Sequence, residues 1–177
     1  GVTQVRGPFV QVPPHPQSFG SDEERDFLVW AKSVAKPKAM DLFCGAGGLS
    51  LGLSQSGFEV ILGVDNDREA LETHRSIAPG LSVDWDLASN EAIERVIRIG
   101  NAAGVELVAG GPPCQPFSKA GRSMIRDLVR TGRRKDQDDR RDLWESFMTV
   151  VEGLRPKAVL MENVPDMALD RDMQILR

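Results

Sequence analysis

The chain has 177 residues, a formal net charge of −4 and 27% charged residues, the composition of an ordinary soluble globular protein with room for one real core. No apolar run approaches the ~20 residues of a membrane span, and the N-terminal stretch lacks the layout of a secretory signal. The negative charge excludes a protein that is basic all over, so a nucleic-acid-facing surface must be local or lie on residues outside this chain. Two cysteines, Cys44 and Cys114, make no secreted disulfide framework, and with His15 and His74 standing apart no metal site is expected. Gly1 stands where a Met would begin a chain, so a trimmed start is expected.

Residues 1–22 are rich in Pro, Gln, Gly and Ser, with Pro13-Pro14-His15-Pro16 at their centre. That composition predicts an extended or disordered arm with a solvated His15. Residues 23–34 carry Phe27, Leu28, Trp30 and Ala31 at helical spacing, with Ser21 or Asp22 as N-cap. Such a helix is suited to covering an edge of a sheet. Residues 38–43 read as a strand running into Cys44-Gly45-Ala46-Gly47-Gly48, and a helix over residues 49–56 follows, ended by Gly57. Glycines let the backbone approach a ligand closely, and the helix N-terminus behind them offers unpaired N–H groups.

A strand over residues 59–64 ends in Asp65. An acidic side chain at that place accepts hydrogen bonds from ribose hydroxyls in nucleotide-binding α/β folds. Asp67 is the expected cap of the next helix, residues 68–76, near whose end His74 is expected at the surface or as a capping residue. Residues 81–85 form the following strand and lead to Asp86-Leu87. Ile93, Val96 and Ile97 then predict a helix over residues 90–99, closed by Gly100.

The apolar run 105–109 reads as a buried strand that leads to Gly110-Gly111-Pro112-Pro113-Cys114-Gln115-Pro116-Phe117-Ser118. Prolines and glycines around Cys114 hold it on a stiff loop. Residues 119–135 set Arg122, Arg126, Arg130, Arg133, Arg134 and Lys135 against the acid Asp127, which by itself describes a solvated loop. Met124, Ile125, Leu128 and Val129 predict a helical turn or two inside it. A helix enters through Leu143, Phe147, Val150 and Leu154, and a strand over residues 157–161 delivers Glu162-Asn163-Val164. A nucleophile, a carboxylate and a glycine-rich turn thus each end an apolar strand, the arrangement expected at one edge of an open α/β sheet, where ligands collect.

Asp41-Leu42-Phe43-Cys44-Gly45-Ala46-Gly47-Gly48, then Pro112-Pro113-Cys114-Gln115-Pro116-Phe117-Ser118, then Glu162-Asn163-Val164 resemble the ordered signatures of the cytosine C5 methyltransferases, over residues 39–165. Asp138-Asp139-Arg140-Arg141-Asp142-Leu143 resembles that family's Asp-x-Arg-x-x-Leu motif. The resemblance implies an α/β, Rossmann-like methyltransferase fold: a mostly parallel sheet with helices on both faces, its C-terminal strands missing. Residues 23–177 would be a partial catalytic domain.

The implied cofactor is S-adenosyl-L-methionine, with S-adenosyl-L-homocysteine as product. By the resemblance, Phe43 packs near the cofactor, the backbone around Gly45 and Gly47 meets its methionine moiety, and Asp65 takes the ribose. Asp86 accepts from the adenine amine and Leu87 packs on the ring, with Asp84 competing for the place of Asp86. Cys44 is a small packing residue. Cys114 is the catalytic nucleophile for a flipped cytosine, Glu162 meets its N3 and exocyclic amine, and Asn163 fixes the local backbone. Gln115, Ser118 and Arg122 belong to a loop that closes over the substrate, its cations available to phosphates. That segment is longer than the family usually needs.

The implied partners are double-stranded DNA and a second subunit or missing C-terminal half carrying target recognition, with no membrane. The implied setting is cytoplasmic and nucleoid-associated in a bacterium, or nuclear in a eukaryote. Two alternatives stay open: the tRNA-directed branch of the family, and a non-catalytic cofactor-binding subunit of a split enzyme.

Overall fold

The computed structural model describes residues 12–113 and 143–162. In chain order these form β1 (Ser18–Phe19), α1 (Glu24–Ser33), β2 (Lys38–Leu42), α2 (Gly48–Gln55), β3 (Glu59–Asp65), α3 (Arg68–Ile77), β4 (Gly80–Asp84), α4 (Asn90–Ala103), β5 (Leu107–Gly110), α5 (Leu143–Leu154) and β6 (Ala158–Met161). The sheet runs β1-β4-β3-β2-β5-β6 and every pairing in it is parallel. The chain moves outward from β2 to β3 and β4, then returns to place β5 on the other side of β2. The switch point therefore lies between β2 and β5, where the carboxyl ends of an open parallel sheet leave a crevice.

Parallel strands covered on both faces alternate between two cores. On one face Met40, Leu42, Leu62, Val64, Val83 and Val108 pack with Phe27 and Ala31 of α1, Ile93, Val96 and Ile99 of α4, and Phe147 and Val150 of α5. On the other face Ala39, Val60, Leu107 and Ala109 pack with Leu53 of α2. The expected α/β fold, with helices on both faces, is what forms. No helix among the described residues is long and apolar enough to cross a membrane. β1 and β6 are the two edge strands, and Val159 and Leu160 on β6 are exposed.

Four local expectations change. The end of the N-terminal arm is built into the sheet: Ser18 and Phe19 pair with Gly80 and Leu81, and Phe19 packs edge-on against Phe27 with ring centroids 6.0 Å apart. His15 accepts a hydrogen bond from the Gln17 amide at 3.1 Å and is half-buried rather than solvated. Neither Ser21 nor Asp22 caps α1; Glu23 occupies the cap, and its side chain accepts from the Gly20 amide at 2.6 Å. Gly100 does not end α4, which continues to Ala103 and stops at Gly104, with φ of 75°. Gly100 serves close packing instead, because a Cβ there would lie 2.7 Å from both Met40 and Leu154.

The fourth change concerns His74, which is neither at the surface nor a cap. It is fully buried and hydrogen-bonded through both ring nitrogens. Burial depresses its basicity to a pKa of about 4, with the Asp65 charge opposing the shift.

Candidate active site

β2 ends in a turn whose backbone is held in unusual conformations. Phe43, Gly45 and Gly47 have φ of 61°, 51° and 97°. Left-handed backbone is open to glycine, but a phenylalanine held there is strained, and such strain gathers at ligand sites. Asp65, at the end of β3, braces this turn: its Oδ2 accepts from the Gly45 amide at 2.7 Å and its Oδ1 from the Asp67 amide at 2.9 Å. Each oxygen of an ionised carboxylate has a further lone pair, so Asp65 can still accept from a ligand. Asp67 caps α3 as its sequence position implies, accepting from the Glu69 and Ala70 amides. Cys44 is buried and unpaired in any disulfide, and burial first, then Asp41 and Asp65, push its thiol far above the ordinary range. Its burial suits it to packing.

Beyond the end of β4 the chain presents Trp85, Asp86 and Leu87. Asp86 is exposed and its Oδ1 accepts from the Ala88 amide at 2.9 Å; Leu87 is buried. Asp84 turns to Arg68, 2.7 Å away, so of the two competing acids Asp86 is the one that meets the crevice. The Arg95 guanidinium lies 4.3 Å from the centre of the Trp85 ring, a cation–π contact. Arg95 and Arg98 both reach Glu24 of α1, at 3.3 and 2.6 Å. Their donors, Arg98 foremost, hold the Glu24 carboxyl below its usual range.

These strand ends enclose a cavity of about 240 Å³ lined by Phe43, Asp65, Asn66, Trp85, Asp86, Leu87, Gly111, Pro113 and Leu143. Phe43, Asp65, Asp86 and Leu87, named from sequence, thus share one wall system, and Gly45 joins it through Asp65. Gly47 sits behind the cavity as the N-cap of α2. Trp85 and Asn66 were not singled out from sequence. The only local signal was their place, next to Asp86 and Asp65 at strand ends.

β5 and β6 pair with Gly110 opposite Met161, so the residues that follow them, Gly111 and Glu162, emerge side by side. The Glu162 amide donates to the Gly110 carbonyl at 2.9 Å, and the Gly111 amide donates to the Leu42 carbonyl at 3.3 Å. Glu162 Oε2 would lie 2.9 Å from a Cβ on Gly111. The carboxylate is therefore beside Gly111, three residues before Cys114 in the sequence. Cys114, Gln115, Ser118 and Arg122 lie outside the described residues, as does Asn163. No cluster of potential metal ligands occurs among the described residues.

The C-5 cytosine-specific DNA methylase family matches residues 37–177. The chain is similar to the type II methyltransferase M.AgeI of Thalassovita gelatinovora, 40% identical over 134 residues, covering 72% of this chain and 28% of that protein. It is also 37% identical over 127 residues to the type II methyltransferase M.HgiGI of Herpetosiphon aurantiacus, covering 72% of this chain and 90% of that one. Among solved structures, an E. coli prophage-encoded protein described as a DNA modification methyltransferase superimposes with a TM-score of 0.56 at 30% identity, over 79% of this chain and 35% of its own. The chain spans 28% and 37% of the lengths of M.AgeI and of M.HgiDI from Herpetosiphon aurantiacus. A strained aromatic and a glycine turn braced by Asp65 stand at the carboxyl ends of this parallel sheet, with the Glu162 carboxylate beside Gly111, and the family match spans residues 37–177, most of the chain, which therefore belongs to the C-5 cytosine-specific DNA methylase family.

Proposed function

We propose that this chain is the cofactor-binding and catalytic portion of an S-adenosylmethionine-dependent DNA cytosine-5 methyltransferase. The observation that carries the reading is the cavity at the switch point, with acidic and apolar walls, opening beside Gly111 and Glu162. The residues suit that cofactor. Asp65 and Asp86 supply acceptors for hydroxyls and an amine, while Phe43, Trp85 and Leu87 supply apolar walls for a flat ring. When bound, the cofactor supplies an electrophilic methyl group on a sulfonium.

The work of the chain is to make carbon 5 of cytosine accept it. A duplex hides that carbon, so the base is flipped out at a cost of a few kcal/mol. The Cys114 thiolate adds to carbon 6 of the ring, and the electron pair this releases makes carbon 5 nucleophilic. Glu162 holds N3 and the exocyclic amine; sharing a proton with N3 stabilises the added ring. After carbon 5 is methylated it loses its proton, the ring double bond re-forms, and the thiolate leaves. The basic segment with Arg122 supplies cations suited to phosphates, and Gln115 and Ser118, which precede it in sequence, are assigned to substrate contacts. Target recognition falls to a further region or partner subunit, as the share of the longer relatives covered suggests. A cytoplasmic setting in restriction–modification follows the type II relatives.

The test is transfer of labelled methyl by the full chain to DNA and to tRNA, with trapping on DNA containing 5-fluorocytosine. Label in DNA and a covalent adduct abolished by Cys114→Ala are expected. Label confined to tRNA, or transfer that survives Cys114→Ala, would overturn the reading.

A further inference from the structure

Strand register places Asp41 of β2 opposite Gly63 of β3, and Gly63 opposite Ser82 of β4. Register partners in a parallel sheet project to the same face, so these three positions form one polar row directly beneath the glycine turn. The middle position has no side chain. The His74 imidazole fills that gap: a Cβ on Gly63 would lie 2.3 Å from Cε1 of His74, and one on Gly47 would lie 2.9 Å from its Cδ2. The ring is thus seated between the sheet and the turn.

Hydrogen bonds link the row end to end. Ser50, in the first turns of α2, lies 2.7 Å from Asp41 Oδ2 and 2.9 Å from His74 Nε2; Ser82 lies 2.7 Å from His74 Nδ1. All four residues are buried. A carboxylate only accepts, so the hydroxyl proton of Ser50 goes to Asp41. Ser50 must then accept from His74, which places the ring proton on Nε2, and Nδ1 accepts the hydroxyl proton of Ser82. The donors point one way, from β4 through α3 and α2 to β2. The charged group acting on the ring is the Asp65 carboxylate, and Asp41 lies at the far end of the hydrogen-bonded row, bonded to Ser50.

We propose that His74 is a positioning residue for the cofactor turn: as the neutral Nε2–H tautomer, seated on Gly63, it ties Ser50 behind the glycine turn to Ser82 of β4 and so holds residues 45–47 in the shape that receives the cofactor. This rests on the cofactor reading above only in its last step.

The experiment uses the full chain, which has two histidines. Long-range ¹H–¹⁵N correlation, with His15→Gln to assign the pair, should show His74 as the neutral Nε2–H tautomer at pH 7. Amide exchange in the cofactor-free protein should accelerate at residues 45–50 about tenfold in His74→Leu, and severalfold in the milder Ser82→Ala, while Val108 and Ala109 of β5 stay protected. S-adenosylhomocysteine affinity should fall about tenfold in His74→Leu and be largely restored in His74→Gln, which keeps an amide donor. A protonated ring or an Nδ1–H tautomer at pH 7 would overturn the proposal. So would turn exchange in Ser82→Ala and His74→Leu indistinguishable from the parent. Should the parent itself fail to bind S-adenosylhomocysteine, the cofactor reading falls, while tautomer and exchange still decide the role of His74.

Discussion

The Asp65 carboxylate and the Gly45 amide, 2.7 Å apart, join the end of β3 to the turn after β2. A single acid therefore both shapes the glycine turn and faces the cavity. Asp65→Ala should lower S-adenosylhomocysteine affinity by one to two orders of magnitude, on the scale of a lost charged hydrogen-bond acceptor. Asp65→Asn, which keeps one acceptor oxygen, should lose less. Titration calorimetry on the folded variants distinguishes the two.

Gly111 and Glu162 give a second handle. A Cβ on Gly111 would meet Glu162 Oε2 at 2.9 Å, and the atom met is the far end of a flexible side chain. Gly111→Ala should therefore fold and bind cofactor yet displace the carboxylate. Methyl transfer to DNA should drop at least tenfold, as it should for Glu162→Gln, with S-adenosylhomocysteine affinity within about threefold of the parent. A parallel loss of cofactor affinity would place Glu162 elsewhere than the base.

α1 lies before the matched family segment, yet it is part of the molecule's core. Phe27 is fully buried, so Phe27→Ala should cost about 3–5 kcal/mol in urea unfolding. Through Glu24 the same helix holds Arg95 over Trp85 in the cavity wall. Trp85→Ala should weaken S-adenosylhomocysteine binding about tenfold and Trp85→Phe far less, because an aromatic face is retained. Cofactor binding should also change the intrinsic tryptophan fluorescence, and Trp85→Phe should remove most of that change.

Two buried titratable groups set opposing pH slopes. Burial raises Asp41 from 3.8 to about 6, so folding favours its protonated form and stability falls as pH rises from about 4 to about 6. Burial lowers His74 from 6.5 to about 4, so folding favours its neutral form and stability falls as pH drops through that window. In the parent the two largely offset each other between pH 4 and 6. Asp41→Asn leaves the His74 slope alone. Its stability, measured by urea unfolding, should fall between pH 7 and 4.5 by on the order of 2 kcal/mol more than the parent's.

Much of this molecule was legible locally. Short apolar runs and helical apolar spacing placed the strands that lead to Phe43, Asp65 and Glu162, and Asp67 capped α3 as an aspartate at that position does. The family match covers the stretch that holds the ordered motifs, each a run of adjacent residues whose chemistry is readable without partners. The packing of Gly100 and His74, the contacts of Trp85, and which of Asp84 and Asp86 lines the cavity depend on the tertiary structure. Gly100 looks like a helix stop until Met40 and Leu154 are seen to pack where its side chain would be. His74 reads as a helix-end surface residue until strand register opens a slot at Gly63 between Asp41 and Ser82. Trp85 packs under Arg95, which Glu24 holds, and Asp84 is drawn away by Arg68. Sequence by itself determined what local backbone preference and contiguous motifs encode. Contacts between residues distant in the chain depend on register and helix docking, and only the tertiary structure decided those.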